Sequence, residues 1–202
     1  MPDAFDEERF RNGLTYDEYR AQWREQKDVS TDDLDVEERR TVHFLNYNWE
    51  RQARVHDAYT PSDALQEALS GLDAPQYWMM LTEPWCGDSA FLLPVIAEAA
   101  ATTDAVTLRI LLRDDNLDLM DQYLTNGSRS IPKLAAFSET GTELFTWGPR
   151  PDGAAQRFAE LREQHDDKME VIAQLVEYYE EGAWQEADAE LTQAIQSAVP
   201  AR

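Results

Sequence analysis

The apolar positions of this chain change their spacing as the sequence proceeds. Up to residue 70 they recur every three or four positions, the period of one-sided helices. Thr15–Gln26 carries Tyr16, Tyr19 and Trp23 on one face. A longer helix is predicted from about Asp35 to Ala58, with Val42, Leu45, Trp49, Ala53 and His56 in one stripe and Ser30, Thr31, Asp32 and Asp33 as N-cap candidates ahead of it. Thr60-Pro61-Ser62-Asp63 reads as a further helix start, with Pro61 at the first helical position, Leu65, Ala68 and Leu69 inward and Gly71 as the stop.

The pattern then tightens into short, nearly continuous apolar runs, the mark of buried strands. Tyr77–Thr82 and Ala105–Leu112 are two such runs, separated by Trp85-Cys86-Gly87-Asp88-Ser89 and a helical stretch to about Ala101. Leu117–Leu124 is predicted as a short helix. Lys133–Phe137 and Glu143–Thr146 read as a hairpin, with Gly141 in its turn. Helix resumes after Pro151. The order is β-α-β-α-β-β-α, whose parallel part needs crossover helices and whose last pair is antiparallel. In the tail, Met169, Ile172, Val176 and Tyr179 form one helical stripe and Trp184, Ala187, Leu191 and Ile195 another, broken at Gly182. The Tyr179–Ile195 stretch looks a little like one tetratricopeptide hairpin, but one repeat makes no solenoid, so a helical hairpin packed on the core is expected.

Composition narrows the function classes. Forty Asp and Glu against eighteen Lys and Arg give a formal net charge of −22. Such a surface repels phosphate backbones and anionic membranes, so neither nucleic acid nor membrane is an expected partner. No apolar run is long enough to span a bilayer, and the acidic N-terminus has no signal-peptide pattern, so the expected location is cytoplasmic. Cys86 is the one cysteine, which excludes an internal disulfide and Cys-based zinc or iron–sulfur sites. No metal site is expected. His43 and His56 are not at ligand spacing, and His56 reads as a satisfied interhelical histidine.

Candidate chemistry gathers at the strand that runs into Trp85-Cys86-Gly87-Asp88 and at Arg129-Ser130-Ile131-Pro132-Lys133, a loop ending in proline before the next strand. A cysteine at a helix N-terminus faces unpaired N–H groups and the positive end of the helix dipole, which favours the nucleophilic thiolate. On these segments the chain resembles the thioredoxin-like superfamily over about residues 72–160. More narrowly, it resembles a monothiol bacterial group of that superfamily with a Trp-Cys-Gly-Asp-small motif. Arg113–Asn116, Asn126–Lys133 and Trp147–Pro151 are similar to segments recurring in that group. The resemblance implies an α/β thioredoxin-like β-α-β-α-β-β-α core at 72–160. A helical extension at 1–71 and a helical hairpin at 161–202 pack on it as one compact domain. It further implies a cis peptide before Pro132, exposing the Ile131 backbone beside Cys86 for strand-like binding of an extended substrate.

The departures from that pattern are informative. The position where thioredoxins carry a second cysteine is Ser89, which can donate to a thiolate but cannot resolve a mixed disulfide. The position of their buried Asp is Met80. Asp88 replaces the intervening Pro and repels a thiolate. At a pKa of ~8.5 about 3% of a thiol is ionised at pH 7. A helix end contributes roughly 0.3–2 kcal/mol towards ionisation. A carboxylate ~6 Å away opposes by ~0.7 kcal/mol in water and ~3 kcal/mol at an effective dielectric of 20.

The expected function is therefore monothiol thiol–disulfide exchange, the work of a monothiol disulfide oxidoreductase. A solvent-facing Cys86 is the nucleophile, with Ser89 and Asp88 as further catalytic candidates. Trp85, Gly87, Arg129, Ile131 and Pro132 are the substrate-binding candidates. No resident cofactor is expected; a low-molecular-weight thiol such as glutathione serves as co-substrate, and the partner is a disulfide, a glutathionylated protein or a small thiol. The alternative is a redox-inactive binding or adaptor module that uses the prolyl groove. Residue by residue, simpler roles compete: Cys86 as a small buried hydrophobe, Asp88 and Ser89 as helix caps, and Arg129 as a salt-bridge partner of one of the many acids.

Many acids with only three lysines (Lys27, Lys133, Lys168) resembles the surface of proteins from salt-accumulating halophiles. Self-repulsion of this size is relieved by screening, so unfolding midpoints in urea should rise from low to multimolar salt. Equal stability at both extremes contradicts the halophilic reading.

Overall fold

Strand β1 (Gln76–Thr82) is the axis of the molecule, buried along nearly its whole length. In the computed structural model, which describes residues 5–198, it lies inside a four-stranded sheet of order β2-β1-β3-β4. Residues 1–4, the head of the segment read above for a leader, and 199–202 lie outside the described residues. β2 (Val106–Leu112) runs parallel to β1, with Met80 opposite Ile110. β3 (Lys133–Ser138) runs antiparallel to β1 on its other side, with Met80 opposite Leu134, and β4 (Glu143–Trp147) closes the sheet antiparallel to β3. The hairpin turns through Gly141 at φ +78°.

Four helices precede the sheet: α1 (Glu7–Asn12), α2 (Tyr16–Lys27), α3 (Val36–Ala58) and α4 (Asp63–Ser70). α5 (Gly87–Ala101) crosses from β1 to β2, and the short α6 (Leu117–Met120) follows β2. After the sheet come α7 (Asp152–Gln164), α8 (Lys168–Glu180), a 3-10 turn at Ala183–Gln185 and α9 (Glu186–Ala198). The expected mixed α/β order is present. Among the described residues no helix is long and apolar enough to cross a membrane.

Local chemistry sets the helix starts. Thr15 and Asp35 each form a capping box with the Glu three residues on, Glu18 and Glu38, satisfying first-turn N–H groups that a helix leaves unpaired. The start of α4 differs from expectation. Ser62 is the cap, accepting from Leu65 N–H at 3.2 Å, and Pro61 stays outside the helix. The reason is tertiary: Asp188 of α9 takes hydrogen bonds from Ser62 N–H, Ser62 Oγ and Tyr59 Oη, at 2.9, 2.5 and 2.6 Å.

Two helix faces are rotated from the apolar stripes. α3 buries Leu45, Asn48, Gln52 and Val55 in place of the Val42–Trp49–Ala53–His56 stripe. Hydrogen bonds make that possible: Asn48 Nδ2 donates to the Pro84 carbonyl at 3.1 Å and Gln52 Nε2 to the Tyr16 hydroxyl. Trp49 is instead half-buried at the flank, edge-on to Trp23 with ring centres 5.6 Å apart. α8 buries Val171, Leu175 and Tyr179, and leaves Met169 42% exposed. α6 ends at Met120, not Leu124, because Tyr123 turns inward to a second apolar cluster and donates to Glu143 at 2.9 Å.

Two apolar clusters flank the sheet. The larger lies between the sheet and α2–α5 with α7–α9, and contains Trp78, Met80, Phe91, Ile96, Tyr179 and Leu191. The smaller, on the opposite face, contains Phe10, Met79, Leu81, Leu111, Ile131 and Phe137, and Cys86 belongs to it. The C-terminal helices return to the core, α9 packing on β4 and α4.

Gly148 joins β4 to the loop that approaches β3. Its φ is +97°, and a Cβ there would overlap the Pro132 carbonyl oxygen. Gly148→Ala therefore carries both a backbone and a steric penalty and should cost about 2 kcal/mol or more in urea unfolding. A change under about 0.5 kcal/mol would contradict the close approach.

Candidate active site

β1 ends at Thr82, and the chain turns through Glu83-Pro84-Trp85 before α5 begins. Cys86 N–H closes the turn on the Glu83 carbonyl at 3.1 Å. Cys86 is then the N-cap of α5: its backbone is extended, and its carbonyl accepts the first helical bond from Ala90 N–H at 3.1 Å. No side chain caps this end. The sulfur thus occupies the position a Ser or Asp oxygen takes at other helices, beside unpaired N–H groups.

Opposite it lies the prolyl loop. The Ile131–Pro132 peptide is cis, and the Cys86 thiol donates to the Ile131 carbonyl at a sulfur–oxygen distance of 3.3 Å. The loop is held from behind by Gly148 packing on Pro132 and by Lys133 Nζ donating to the Gly148 carbonyl at 3.1 Å.

The sulfur was expected to face solvent; instead Cys86 is only 8% exposed. It belongs to the smaller apolar cluster, with Ile131 directly against it. Burial pushes the thiol up to about 11, and the Asp88 charge adds to the rise. The Ser89 N–H and the Arg150 guanidinium pull the other way without reversing it.

Asp88 does not cap the helix. It sits in the first turn and is held by Arg150 through two bonds, Nε to Oδ1 at 2.9 Å and Nη2 to Oδ2 at 2.7 Å. Tyr179 of α8 donates to the same Oδ1 at 2.9 Å. Arg150 lies flat over Phe158 of α7, 4.0 Å from the ring centre, and Tyr179 stacks on Phe91 of α5 with ring centres 5.0 Å apart. Ser89 is 2% exposed, and its hydroxyl has no hydrogen-bond partner among the described residues. The same holds for the buried hydroxyls of Thr82 and Tyr19. Met80 is fully buried and apolar, so its position supplies no carboxylate beneath the site.

Trp85 is 40% exposed and carries the Arg113 guanidinium over its ring at 4.7 Å. Arg113 also binds Asp114 and donates to the Arg129 carbonyl at 3.3 Å, tying the β2 exit to the prolyl loop. A Cβ at Gly87 would meet nothing within 4 Å, so open space lies over the helix start next to the sulfur. Arg129 is spent on Asp121, in a two-point pair at 2.7 and 2.8 Å, which is the competing salt-bridge role. His56 Nδ1 lies 2.7 Å from Glu98 Oε1, linking α3 to α5. Among the described residues no group of three or more His, Cys, Asp or Glu is placed to hold a metal ion.

The structure therefore brings Cys86 against Ile131 and the cis peptide to Pro132, with Gly87 and Ser89 on the helix start and the exposed Trp85 just ahead of the sulfur. Sequence reasoning missed Arg150 and Tyr179. Arg150 lay in the Trp147–Pro151 segment, noted for its similarity to a segment of the resembled group but given no role of its own, and Tyr179 in a tail stripe read only as core.

A family model described as thioredoxin matches residues 37–162. No curated protein matches the chain. Two solved structures are similar over nearly its whole length. A Pseudomonas aeruginosa protein of unknown function has 16% identity and a TM-score of 0.62, covering 95% of this chain and 97% of that one. An HIV epitope-scaffold has 17% identity and a TM-score of 0.61, covering 95% and 98%. At these identities the likeness is one of fold.

Proposed function

This chain belongs to the thioredoxin family, and we propose that within that fold it carries out monothiol thiol–disulfide exchange through Cys86. The observation that carries the reading is the seat of the sulfur: an uncapped helix N-terminus, 3.3 Å from the carbonyl of Ile131 and next to a cis prolyl peptide. The Cys86 thiolate attacks one sulfur of a disulfide. A Cys86–S–S–R bond forms, the original S–S bond breaks, and the other sulfur leaves with the electron pair and takes up a proton. Ser89 cannot resolve the product, so an external thiolate attacks the mixed disulfide and regenerates Cys86 as the thiolate. The reduced product and the new external disulfide balance the electrons, and no resident cofactor is needed. Trp85 gives an apolar wall for the disulfide, and the Ile131 backbone is the edge that an extended substrate would pair with. The thiol must leave the Ile131 carbonyl as it ionises, which frees that acceptor when the nucleophile forms. A low-molecular-weight thiol or a glutathionylated protein in the cytoplasm is the partner class.

A second reading has an observation of its own. A sulfur that is 8% exposed and raised to about 11 is almost wholly protonated at neutral pH. That favours a redox-inactive module that binds an extended segment at the prolyl loop. Binding that survives Cys86→Ala would separate it from exchange.

Oxidised glutathione should give a single adduct at Cys86 of the folded protein, seen by intact mass. The rate should rise about tenfold per pH unit through the neutral range, since it follows the thiolate fraction below the midpoint. Cys86→Ser should abolish the adduct, and dithiothreitol should remove it. An adduct that forms only after unfolding would overturn exchange as the function.

A further inference from the structure

Asp88 poses an electrostatic problem that the rest of the chain has answered. Two residues after the nucleophile, on the same helix turn, it places a carboxylate where any negative charge on the sulfur is opposed. Its side chain is 12% exposed, so water screens it little. An ion pair of this kind is worth its desolvation only with good geometry and with its remaining lone pairs satisfied. Both conditions are met: Arg150 grips both carboxylate oxygens, and Tyr179 adds a third donor. The guanidinium is itself fixed by lying over Phe158.

We propose that Arg150 is a positioning residue for Cys86: by holding Asp88 in a two-point pair from the loop after β4, it keeps that carboxylate from standing beside the sulfur as an uncompensated charge, and Tyr179 fastens the pair from α8. The lock joins three separated parts of the chain. Asp88 comes from the first turn of α5, Arg150 from the segment after β4, and Tyr179 from the last turn of α8. The C-terminal helices thereby act on the nucleophile without touching it. The ionisable groups acting on the sulfur are Asp88 on its own helix, Arg150 from the loop, Tyr179 from α8 and Tyr19 from α2. Burial holds both tyrosines well above their ordinary value. The titration is therefore set by burial, by the Ser89 N–H at the helix start, and by the balance of the Asp88 charge against Arg150.

The inference gives the exchange reading its control residue, but its test reads the thiol alone, by iodoacetamide alkylation of Cys86 against pH in the folded protein. Arg150→Met should move the midpoint up by about one pH unit, slowing alkylation about tenfold at a fixed pH below it. Asp88→Asn should move it down by a similar amount. The double variant should return towards the parent, and Arg150→Lys should recover part of the Arg150→Met change. Opposite signs are the signature: loosening of the helix start would expose the sulfur and lower the midpoint in both single variants. Equal signs, or no shift in Asp88→Asn, would overturn the proposal. Should Arg150→Met fail to fold, Asp88→Asn and the double variant still decide it. If the shifts appear but no glutathione adduct forms, exchange fails and the positioning role stands.

Discussion

The contact between the Cys86 thiol and the Ile131 carbonyl joins the two halves of the sheet's upper edge, and the site depends on it. β1 delivers the cysteine to the tip of α5, while the antiparallel return of β3 brings the prolyl loop against it. Both placements are consequences of register. Met80 pairs with Ile110 on one side and with Leu134 on the other, so the end of β1 and the start of β3 lie level. The sulfur fills the place of a helix cap, and its proton goes to the one carbonyl within reach. The same closeness that builds the site also buries the thiol and holds it protonated.

A second constraint follows from the acidity of the chain. With a net charge of −22, the partly buried Asp88 carboxylate near the sulfur gains from a dedicated cation. Arg150 supplies it, oriented by Phe158 and by Tyr179 across the carboxylate. The appended C-terminal helices are thus coupled to the helix that carries Cys86. The N-terminal ones are coupled too, through Asn48 on the Pro84 carbonyl immediately ahead of the site. Among the described residues, the buried hydroxyls of Tyr19, Thr82 and Ser89 have no hydrogen-bond partner. In the scheme above they are polar groups without a proton-transfer role.

Much of the fold was legible because it is written locally. Apolar runs at Tyr77–Thr82 and Ala105–Leu112 are strands whatever surrounds them, and the structure moves their limits by one residue, to Gln76–Thr82 and Val106–Leu112. The cleft was legible for a similar reason: Trp85-Cys86-Gly87 and Ile131-Pro132 are contiguous motifs. What was not legible depends on partners distant in sequence. The inward face of α3 holds Asn48 and Gln52, which no hydrophobic stripe predicts, because side chains and carbonyls from other elements satisfy them. The start of α4 shifted past Pro61 because Asp188, far along the chain, binds Ser62. Asp88 gave no sign that its partner is Arg150, and nothing in the local sequence told that Arg129 is taken by Asp121. The depth of the sulfur was also hidden, since the apolar cluster it joins is drawn from segments as distant as Phe10, Leu111 and Phe137.

The central claim is that Cys86 stands at the uncapped tip of α5 against the prolyl loop and is kept as a thiol by burial. The most direct measurement is the thiolate ultraviolet absorbance of the folded protein against pH, with Cys86→Ser as the blank. The account predicts ionisation with a midpoint of about 11, against an ordinary thiol value of ~8.5 once the chain is unfolded. A folded midpoint at or below the unfolded one would contradict it, and would mean that the helix N-terminus outweighs both burial and Asp88.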